Sequence, residues 1–332
     1  MSEKYELEEV PCNLCGSTRS RTLFTATDTY VDLVREPYSV VQCLDCGLAY
    51  LSPRIPEKAI GDFYPDDIYL LKDDGADRKV RGLENFYLLH LFRHQMDKAL
   101  KTAAGLGITP RSVFDIGCGP GHRLSLYKER GMEVAGLEIS TDAEYARRQY
   151  GIDVFRGTLE EYLEKRGQKK TYDIVACYYV AEHFFDPMGS FEKIKRILAP
   201  GGMFALVVPN FGSVQAGVFK GRWTYTEVPR HTYFYTRETL GSFLDKAGYD
   251  VKGFSTMTNF WHPPSIVLSM FPSLDPRFNW REENSGAPGT KALLRRVAWV
   301  AATLALSPLA YLECLAGRGA LLSAYAVKRG PA

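Results

Sequence analysis

The sequence lacks several features that would assign it to common classes of protein. Its 41 basic and 39 acidic residues nearly cancel, which leaves a net charge of +2, so no nucleic-acid partner is expected on electrostatic grounds. The acidic N-terminus lacks the apolar stretch of a signal peptide, which predicts a cytoplasmic protein. The uncharged run Val297–Leu312 near the C-terminus is shorter than a spanning helix and contains Pro308, so no transmembrane segment is predicted.

Cysteine is scarce, but its seven residues are not scattered. Four of them form two CxxCG pairs, Cys12 with Cys15 and Cys43 with Cys46, and the odd total argues against a disulfide framework. Each CxxCG turn can direct two thiolates at one ion, so the four cysteines predict a closed, tetrahedral and structural zinc site. The sequence therefore predicts a zinc ribbon over residues 1–52, in a reducing compartment.

The composition, with 45% hydrophobic and 24% charged residues, is typical of a folded globular protein. After a linker and a helical segment at 53–110, short apolar runs alternate with helical patterns, which indicates βαβ units. Strands are predicted at 112–116, 133–137, 153–156, 172–177, 203–208, 249–255 and 320–328. We predict an α/β, Rossmann-like core at 111–256, with helices on both faces of a seven-stranded, mostly parallel sheet. A helical insertion before the last strand would complete the chain at 257–332.

The segment VFDIGCGPG, at 113–121, has three alternate glycines after a predicted buried strand and before a helix. A dinucleotide fingerprint would need glycine at position 122, where His122 stands, so this spacing disfavours pyrophosphate binding. Alternate glycines instead allow the close approach of a ligand without phosphates. Asp115 at the strand end can hold a cationic amino group, and Glu138 at the end of the next strand can accept hydrogen bonds from both hydroxyls of a ribose.

The glycine loop, Glu138, YDIVACYYVAEHFFDP and RILAPGGMFALVVPN follow one another in this order. This order resembles the class I S-adenosylmethionine-dependent methyltransferases over roughly residues 111–256. The resemblance implies that the glycine loop holds the methionine part of S-adenosylmethionine and that the second acid binds the ribose. Near the adenine, where the family often has an aspartate, Thr158, Leu159 or Glu160 can take its place. The residues assigned to the cofactor are Asp115, Gly117, Cys118, Gly119, Gly121, Glu138, Thr158 and Leu159. Cys118 is explained equally well as a small residue packed in the loop.

Three side chains are candidates for the chemistry of methyl transfer. Glu182 and His183 follow the fourth predicted strand of the core, at the sheet edge where open α/β folds bind ligands. His231, in VPRHTYFYT, is suited to be a general base because histidine titrates near neutrality. All three also fit a structural role in capping or packing. We predict His231 as the base, with Glu182 and His183 orienting it or the acceptor.

Two subfamilies share features with this region. The EH, DP and PGG sequence resembles ubiquinone-type O-methyltransferases, whose ExxEH motif can bind a divalent ion. Tyr179 replaces the first glutamate here, so a catalytic divalent metal is not expected. An N-terminal zinc-binding segment with a histidine in an aromatic stretch resembles the sugar-nucleotide C-methyltransferases. That resemblance favours a sugar nucleotide or other saccharide as the small-molecule acceptor. A phenolic or quinone-like acceptor, prenylated or not, and a catalytically silent scaffold that binds S-adenosylmethionine are the alternatives.

The C-terminal segment has two interpretations. Lys291, Arg295 and Arg296 precede the uncharged run that begins at Val297. A helical insertion that covers the active site needs an apolar face, and this is the interpretation we favour. Peripheral contact of residues 291–316 with a membrane surface is the other.

Overall fold

The computed structural model describes residues 5–27, 37–64, 82–166, 170–256, 262–274 and 290–330. The chain forms two compact units. The first unit comprises Met1–Leu70, Pro209–Arg237 and Thr256–Leu322, and the second comprises Leu71–Val208, Glu238–Ser255 and Ser323–Ala332. Each unit combines segments that are distant in the sequence, and the predicted division at residues 52, 110 and 256 stays a proposal about domains.

The strands and helices are numbered here in chain order. The strands are β1 (Ser20–Ala26), β2 (Tyr38–Cys43), β3 (Ala49–Leu51), β4 (Ser112–Ile116), β5 (Glu133–Glu138), β6 (Asp153–Arg156), β7 (Tyr172–Tyr178), β8 (Leu198–Pro209), β9 (Tyr233–Phe234), β10 (Tyr249–Ser255) and β11 (Leu321–Lys328). The α-helices are α1 (Gly82–Gly105), α2 (His122–Glu129), α3 (Asp142–Tyr150), α4 (Leu159–Arg166), α5 (Pro187–Ile194), α6 (Val214–Phe219), α7 (Arg237–Lys246), α8 (His262–Met270) and α9 (Thr290–Leu315). Short 3-10 helices cover Glu57–Phe63, Ala181–His183, Lys220–Arg222 and Pro272–Leu274.

The first unit contains an antiparallel sheet in the order β1-β2-β3-β9. Its edge strand β9 comes from a distant part of the chain, and Tyr50 of β3 pairs with Tyr233 of β9. The backbone N–H of Leu51 continues the ladder with a hydrogen bond of 2.9 Å to the carbonyl of Thr232. A hydrophobic core that includes Val40, Leu51, Phe63 and Phe234 lies against this sheet. The cysteine-containing segment and the HTYFYT segment are therefore parts of one sheet.

The second unit contains a seven-stranded sheet in the order β10-β11-β8-β7-β4-β5-β6. Five of its strands, β4 to β8, pair in parallel, and β10 pairs with β11 in antiparallel fashion. Three buried aromatic side chains pack together between this sheet and its helices, since Phe191 of α5 contacts both Phe204 of β8 and Phe243 of α7. The predicted α/β fold class, with its mostly parallel sheet, is confirmed.

The predicted strands of the core agree closely with the observed ones, except at β8. The prediction begins this strand at residue 203, after the glycine pair, whereas the observed strand begins at Leu198. Leu198 pairs with Tyr172, and the register shifts before Ile174 pairs with Met203. This irregularity accommodates the two glycines, of which Gly201 has a positive φ of 73° that a side chain would disfavour.

Helix α9 is longer and more apolar than the sequence analysis anticipates. Its portion Val297–Leu315 is long and apolar enough to cross a membrane by length and composition alone. The uncharged run from which no spanning segment is predicted ends before Glu313, whereas this portion of the helix continues to Leu315. One acidic residue does not lower the mean hydropathy enough to exclude the longer helix.

Candidate functional site

The glycine loop joins β4 to α2 at the carboxyl end of the parallel strands. Gly117, Gly119 and Gly121 have positive φ values of 68°, 53° and 82°, in the region that glycine adopts most easily. A β-carbon on Gly117 would lie 2.4 Å from Val180 Cγ2, and one on Gly121 would lie 2.8 Å from Ala146 Cβ. A β-carbon on Gly119 would meet none of the described atoms within 4 Å. The loop therefore packs tightly at its two ends and leaves room for a ligand at its centre.

Glu138, the last residue of β5, forms the second part of this edge. Its Oε2 accepts a hydrogen bond of 2.8 Å from the backbone N–H of Gly119, and its Oε1 accepts one of 2.8 Å from that of Ser140. Only 9% of the residue is exposed. A carboxylate has about four acceptor positions, so each oxygen keeps acceptor capacity for a ribose hydroxyl. The residue predicted to bind the ribose is thus also the residue that fixes the glycine loop.

Asp115 has a partner that the sequence analysis did not identify. Arg123, in the first turn of α2, places its Nη1 3.1 Å from Asp115 Oδ2, and both side chains are buried. Burial raises the pKa of Asp115, although the charge of Arg123 opposes this rise. The other oxygen, Oδ1, is buried and has no hydrogen-bond partner among the described residues. This oxygen therefore keeps acceptor capacity, while the predicted contact of Asp115 with a cationic amino group stays a prediction.

The guanidinium of Arg123 lies between two aromatic rings of the second unit. Its Cζ is 4.9 Å from the centre of the Phe92 ring and 4.5 Å from that of Tyr178. Such distances are those of cation–π contacts. Arg123 begins the stretch Arg123–Tyr127 of α2, which is buried in the structure. In the sequence it is only a basic residue in a predicted helix, and this does not indicate which residues the guanidinium contacts.

Cys118 lies within the loop, and its side chain packs against the neighbouring strand. A β-carbon on Gly136 of β5 would lie only 2.7 Å from Cys118 Sγ, so the thiol occupies the space that the glycine leaves. Burial also raises the pKa of Cys118. This contact accounts for a small residue at position 118, while a role in cofactor binding stays a prediction.

Thr158 directly precedes α4 and caps its N-terminus through a reciprocal pair of hydrogen bonds. Its Oγ1 accepts from the backbone N–H of Glu161 at 3.2 Å, and Glu161 Oε2 accepts from the backbone N–H of Thr158 at 2.9 Å. This is the capping box of a helix N-terminus. Leu159, the next residue, is buried. The hydroxyl of Thr158 therefore has a structural use, and its predicted contact with adenine remains untested.

The segment after β7 carries the remaining candidates of the second unit. Tyr179 has a positive φ of 62°, which is rare for a bulky residue and occurs preferentially at functional sites. Its hydroxyl accepts a hydrogen bond of 2.8 Å from Gln95 Nε2 of α1. Glu182 and His183 follow in the 3-10 helix Ala181–His183, where Glu182 is buried and His183 half-buried. Glu182 and His183 lie at the carboxyl end of β7, where the sequence predicts them, and Tyr179 directly follows that strand.

His231 belongs to the first unit, immediately before β9. It is 4% exposed, and its Nδ1 lies 2.7 Å from the carbonyl oxygen of Tyr225. A carbonyl can only accept a hydrogen bond, so Nδ1 carries the proton and Nε2 carries the lone pair of the neutral ring. Nε2 lies 3.7 Å from Glu227 Oε2, too far for a hydrogen bond but close enough to stabilise a protonated ring. Glu227, with a positive φ of 27°, was not among the predicted residues.

The four cysteines of the two CxxCG pairs converge in the first unit. Cys12 Sγ lies 3.4 Å from Cys46 Sγ, and Cys15 Sγ lies 3.5 Å from Cys43 Sγ. All four sulfur atoms are within 4.8 Å of one another. Zn–S bonds of about 2.3 Å in a tetrahedron would place the sulfurs about 3.8 Å apart, so the group has the dimensions of a Cys₄ zinc site. Burial acts against ionisation of Cys43, but hydrogen bonds from the backbone N–H groups of Cys46 and Asp45 lower the pKa of its thiol to about 7.

A family model and several known proteins match this chain. A family model described as a methyltransferase domain matches residues 87–252. The ubiquinone biosynthesis O-methyltransferase of Aliivibrio fischeri strain MJ11 is 23% identical over 184 residues, which cover 52% of this chain and 77% of that protein. The enzyme of the same name from Pasteurella multocida is 26% identical over 170 residues, 43% of this chain and 70% of the relative. A solved S-adenosylmethionine-dependent methyltransferase from Archaeoglobus fulgidus is 20% identical and covers 74% of this chain and 99% of its own, with a TM-score of 0.44.

The matched region spans half of the 332 residues and contains β4 to β9 and the glycine loop. The chain therefore belongs to the methyltransferase-domain family and is a class I S-adenosylmethionine-dependent methyltransferase. The predicted enzyme class and organic cofactor are thereby confirmed.

Proposed function

We propose that this methyltransferase acts on a sugar nucleotide or other saccharide and that His231 is its general base. The observation that carries the proposal is the geometry of His231. Its Nδ1 donates to the Tyr225 carbonyl at 2.7 Å, which leaves Nε2 as the basic nitrogen. The acceptor class is supported by the union of the cysteine segment and the HTYFYT segment in one sheet, because these two features together resemble the sugar-nucleotide C-methyltransferases.

The cofactor residues are proposed to divide the ligand among them. Glu138 binds the ribose hydroxyls with its remaining lone pairs, and Asp115 accepts from the amino group through Oδ1. Gly117, Gly119 and Gly121 line the methionine part, and Cys118 contributes its backbone. These residues, with Thr158 and Leu159 beside the adenine, complete the assignment. S-adenosylmethionine, when bound, supplies an activated methyl group on sulfur.

The first unit and the segment after β7 are proposed to serve the acceptor. His231 Nε2 takes the proton that the acceptor's oxygen or carbon loses as it attacks the methyl group. Glu227 then stabilises the protonated ring across 3.7 Å. Glu182 and His183 orient the acceptor or His231, because they lie at the ligand-binding edge of the parallel strands.

The cofactor assignment is tested by titrating the protein with S-adenosylmethionine in a calorimeter. Glu138→Ala should lower the affinity by about 100-fold or more, because two hydrogen bonds to a charged group contribute about 1.5–3 kcal/mol each. Glu133→Ala is the matched control, since this carboxylate lies exposed at the other end of the same strand. Affinity that survives in Glu138→Ala would contradict the assignment.

The acceptor is tested by transfer of a labelled methyl group to a panel of sugar nucleotides, phenols and prenylated quinols. We expect the label to be transferred to a sugar nucleotide and to none of the phenols or prenylated quinols. The second candidate is a phenolic or quinone-like acceptor, favoured by the similarity to the ubiquinone biosynthesis O-methyltransferases of Aliivibrio fischeri and Pasteurella multocida. Methylation of a phenol alone would select it. A protein that binds the cofactor and methylates nothing would be a silent scaffold.

We also propose that the four cysteines hold one structural zinc ion. The protein would then work in the reducing cytoplasm, where these cysteines are not oxidised to disulfides. The sulfur distances support a closed site without an open position for catalysis. Elemental analysis should find about one zinc per chain, and Cys43→Ser should lose it and unfold the first unit. Cys314→Ala, a buried cysteine outside the group, should keep the zinc. A folded protein purified without metal would refute the proposal.

A further inference from the structure

Helix α9 has an unusual distribution of side chains. It packs against α8 within the first unit. Its inner side carries several small or polar residues that are buried or half-buried, among them Thr303, Ser307, Ala310 and Glu313, together with the half-buried Trp299 and Leu306. Its outer side carries large apolar residues, with Leu304 exposed by 69%, Leu309 by 50%, and Leu312 and Leu315 by 60% each. The surface helix of a globular protein normally shows the reverse arrangement.

The apolar surface includes more than these four leucines. Leu294, Val297, Val300 and Tyr311 of α9 are also exposed, as are Met270 and Phe271 at the end of α8. Exposed apolar surface of this kind marks a binding site for a lipid surface or a protein. The outer side of α9 from Val297 to Leu312 carries no charged residue. Protein interfaces combine apolar and polar groups, whereas an almost purely apolar surface matches lipid.

The basic residues in the N-terminal turns of α9 indicate the charge of the partner. Lys291, Arg295 and Arg296 lie in the first two turns of α9, and the sequence has no acidic residue between Asn284 and Leu312. The next acid, Glu313, is buried and accepts a hydrogen bond of 2.7 Å from Gln215 Nε2. A helix with an apolar side and basic residues at one end is suited to a bilayer with anionic headgroups.

The attachment of α9 to the first unit determines how it can meet a bilayer. Near its C-terminal end, Glu313 bonds to Gln215, and Thr256 Oγ1 donates to the carbonyl of Cys314 at 3.3 Å. The inner side is thus occupied by protein, and a spanning orientation would have to break these contacts. We propose that α9 lies parallel to the surface of an anionic membrane and inserts its outer side, including Leu304 and Leu312, among the lipids. This inference is independent of the proposed acceptor.

Flotation of the full-length protein with lipid vesicles tests the inference. The protein should float with vesicles of phosphatidylcholine and phosphatidylglycerol in equal parts. The double variant Leu304→Glu/Leu312→Glu should bind at least about ten-fold more weakly, because it places charge where lipid is expected. Val218→Glu is the matched control, since Val218 lies in the same unit on α6 and is 67% exposed. It should bind like the unchanged protein.

A second variant separates the electrostatic part and does not depend on the folding of the first. Arg295→Gln should weaken binding to the anionic vesicles by about five-fold at low salt and leave binding to pure phosphatidylcholine unchanged. The inference is overturned if the unchanged protein floats with neither vesicle or if Val218→Glu loses binding equally. It is also overturned if light scattering shows a dimer that Leu304→Glu/Leu312→Glu converts to a monomer, because the outer side of α9 would then join two copies of the chain.

Discussion

The proposed cofactor edge of the second unit, which contains Gly119 and Glu138, differs in construction from the segment of the first unit that contains His231. At the cofactor edge, Glu138 and Gly119 are joined by a direct hydrogen bond between two consecutive strand ends, so local spacing sets their geometry. His231 instead precedes an edge strand, β9, whose partner β3 lies far away in the sequence. The geometry of the proposed methyl-donor side therefore follows from a short motif, whereas that of the proposed acceptor side depends on long-range pairing. Substitutions that separate binding from turnover can test this contrast.

The largest effect is expected at His231. His231→Ala should lower kcat by about 100-fold to 10,000-fold, because that is the usual contribution of a general base, and it should leave the affinity for S-adenosylmethionine unchanged. His90→Ala, an exposed histidine of α1, serves as the control. Glu227→Gln should lower kcat by about ten-fold, since it removes only the charge 3.7 Å from Nε2. Full turnover in His231→Ala would remove it as the base, and an equal loss of cofactor affinity would erase the contrast between the two regions.

A smaller effect, on stability, is expected at Arg123. Arg123→Met should lower the free energy of unfolding by about 3–5 kcal/mol, because Asp115 would be left buried without its cation. Arg130→Met removes the exposed ion pair with Asp97 and should cost about 1 kcal/mol or less. Urea denaturation measures both. The double variant Asp115→Asn/Arg123→Met should be more stable than Arg123→Met alone. Equal costs for Arg123→Met and Arg130→Met would show that the buried pair has no special weight.

The smallest effect is expected at Thr158. Thr158→Ala should lower the stability by about 1 kcal/mol, because it removes one half of the capping box. The affinity for S-adenosylmethionine should change by less than about two-fold, since the hydroxyl is engaged in the cap and any contact with adenine would use the backbone. Thr158→Ser retains the cap and is the control. A loss of affinity of about ten-fold in Thr158→Ala, but not in Thr158→Ser, would assign the hydroxyl to the adenine instead.

Much of the second unit could be predicted because its signals are local. Buried parallel strands appear as short apolar runs, and β4, β6 and β10 have the predicted bounds. Arg123 could not be assigned, because a basic residue in a buried helical stretch does not reveal that Asp115 is its partner. Glu227 could not be predicted as a partner of His231, because the distance between the two side chains is set by the turn that joins them and no sequence motif indicates it. The exposed side of α9 could not be predicted either, because apolar residues occur on both sides of the helix and only packing shows which side is covered.

The pairing of β3 with β9 also bears on how the chain folds during its synthesis. Arg54 and Tyr233, which hydrogen-bond in the first unit, are 179 residues apart. A ribosome that adds about 5–20 residues per second needs about 10–40 s to cover that distance. During this time the cysteine pairs have been made, but the open edge of β3 has no partner strand, and such edges favour pairing between nascent chains. Early capture of the metal would hold this segment compact until β9 emerges.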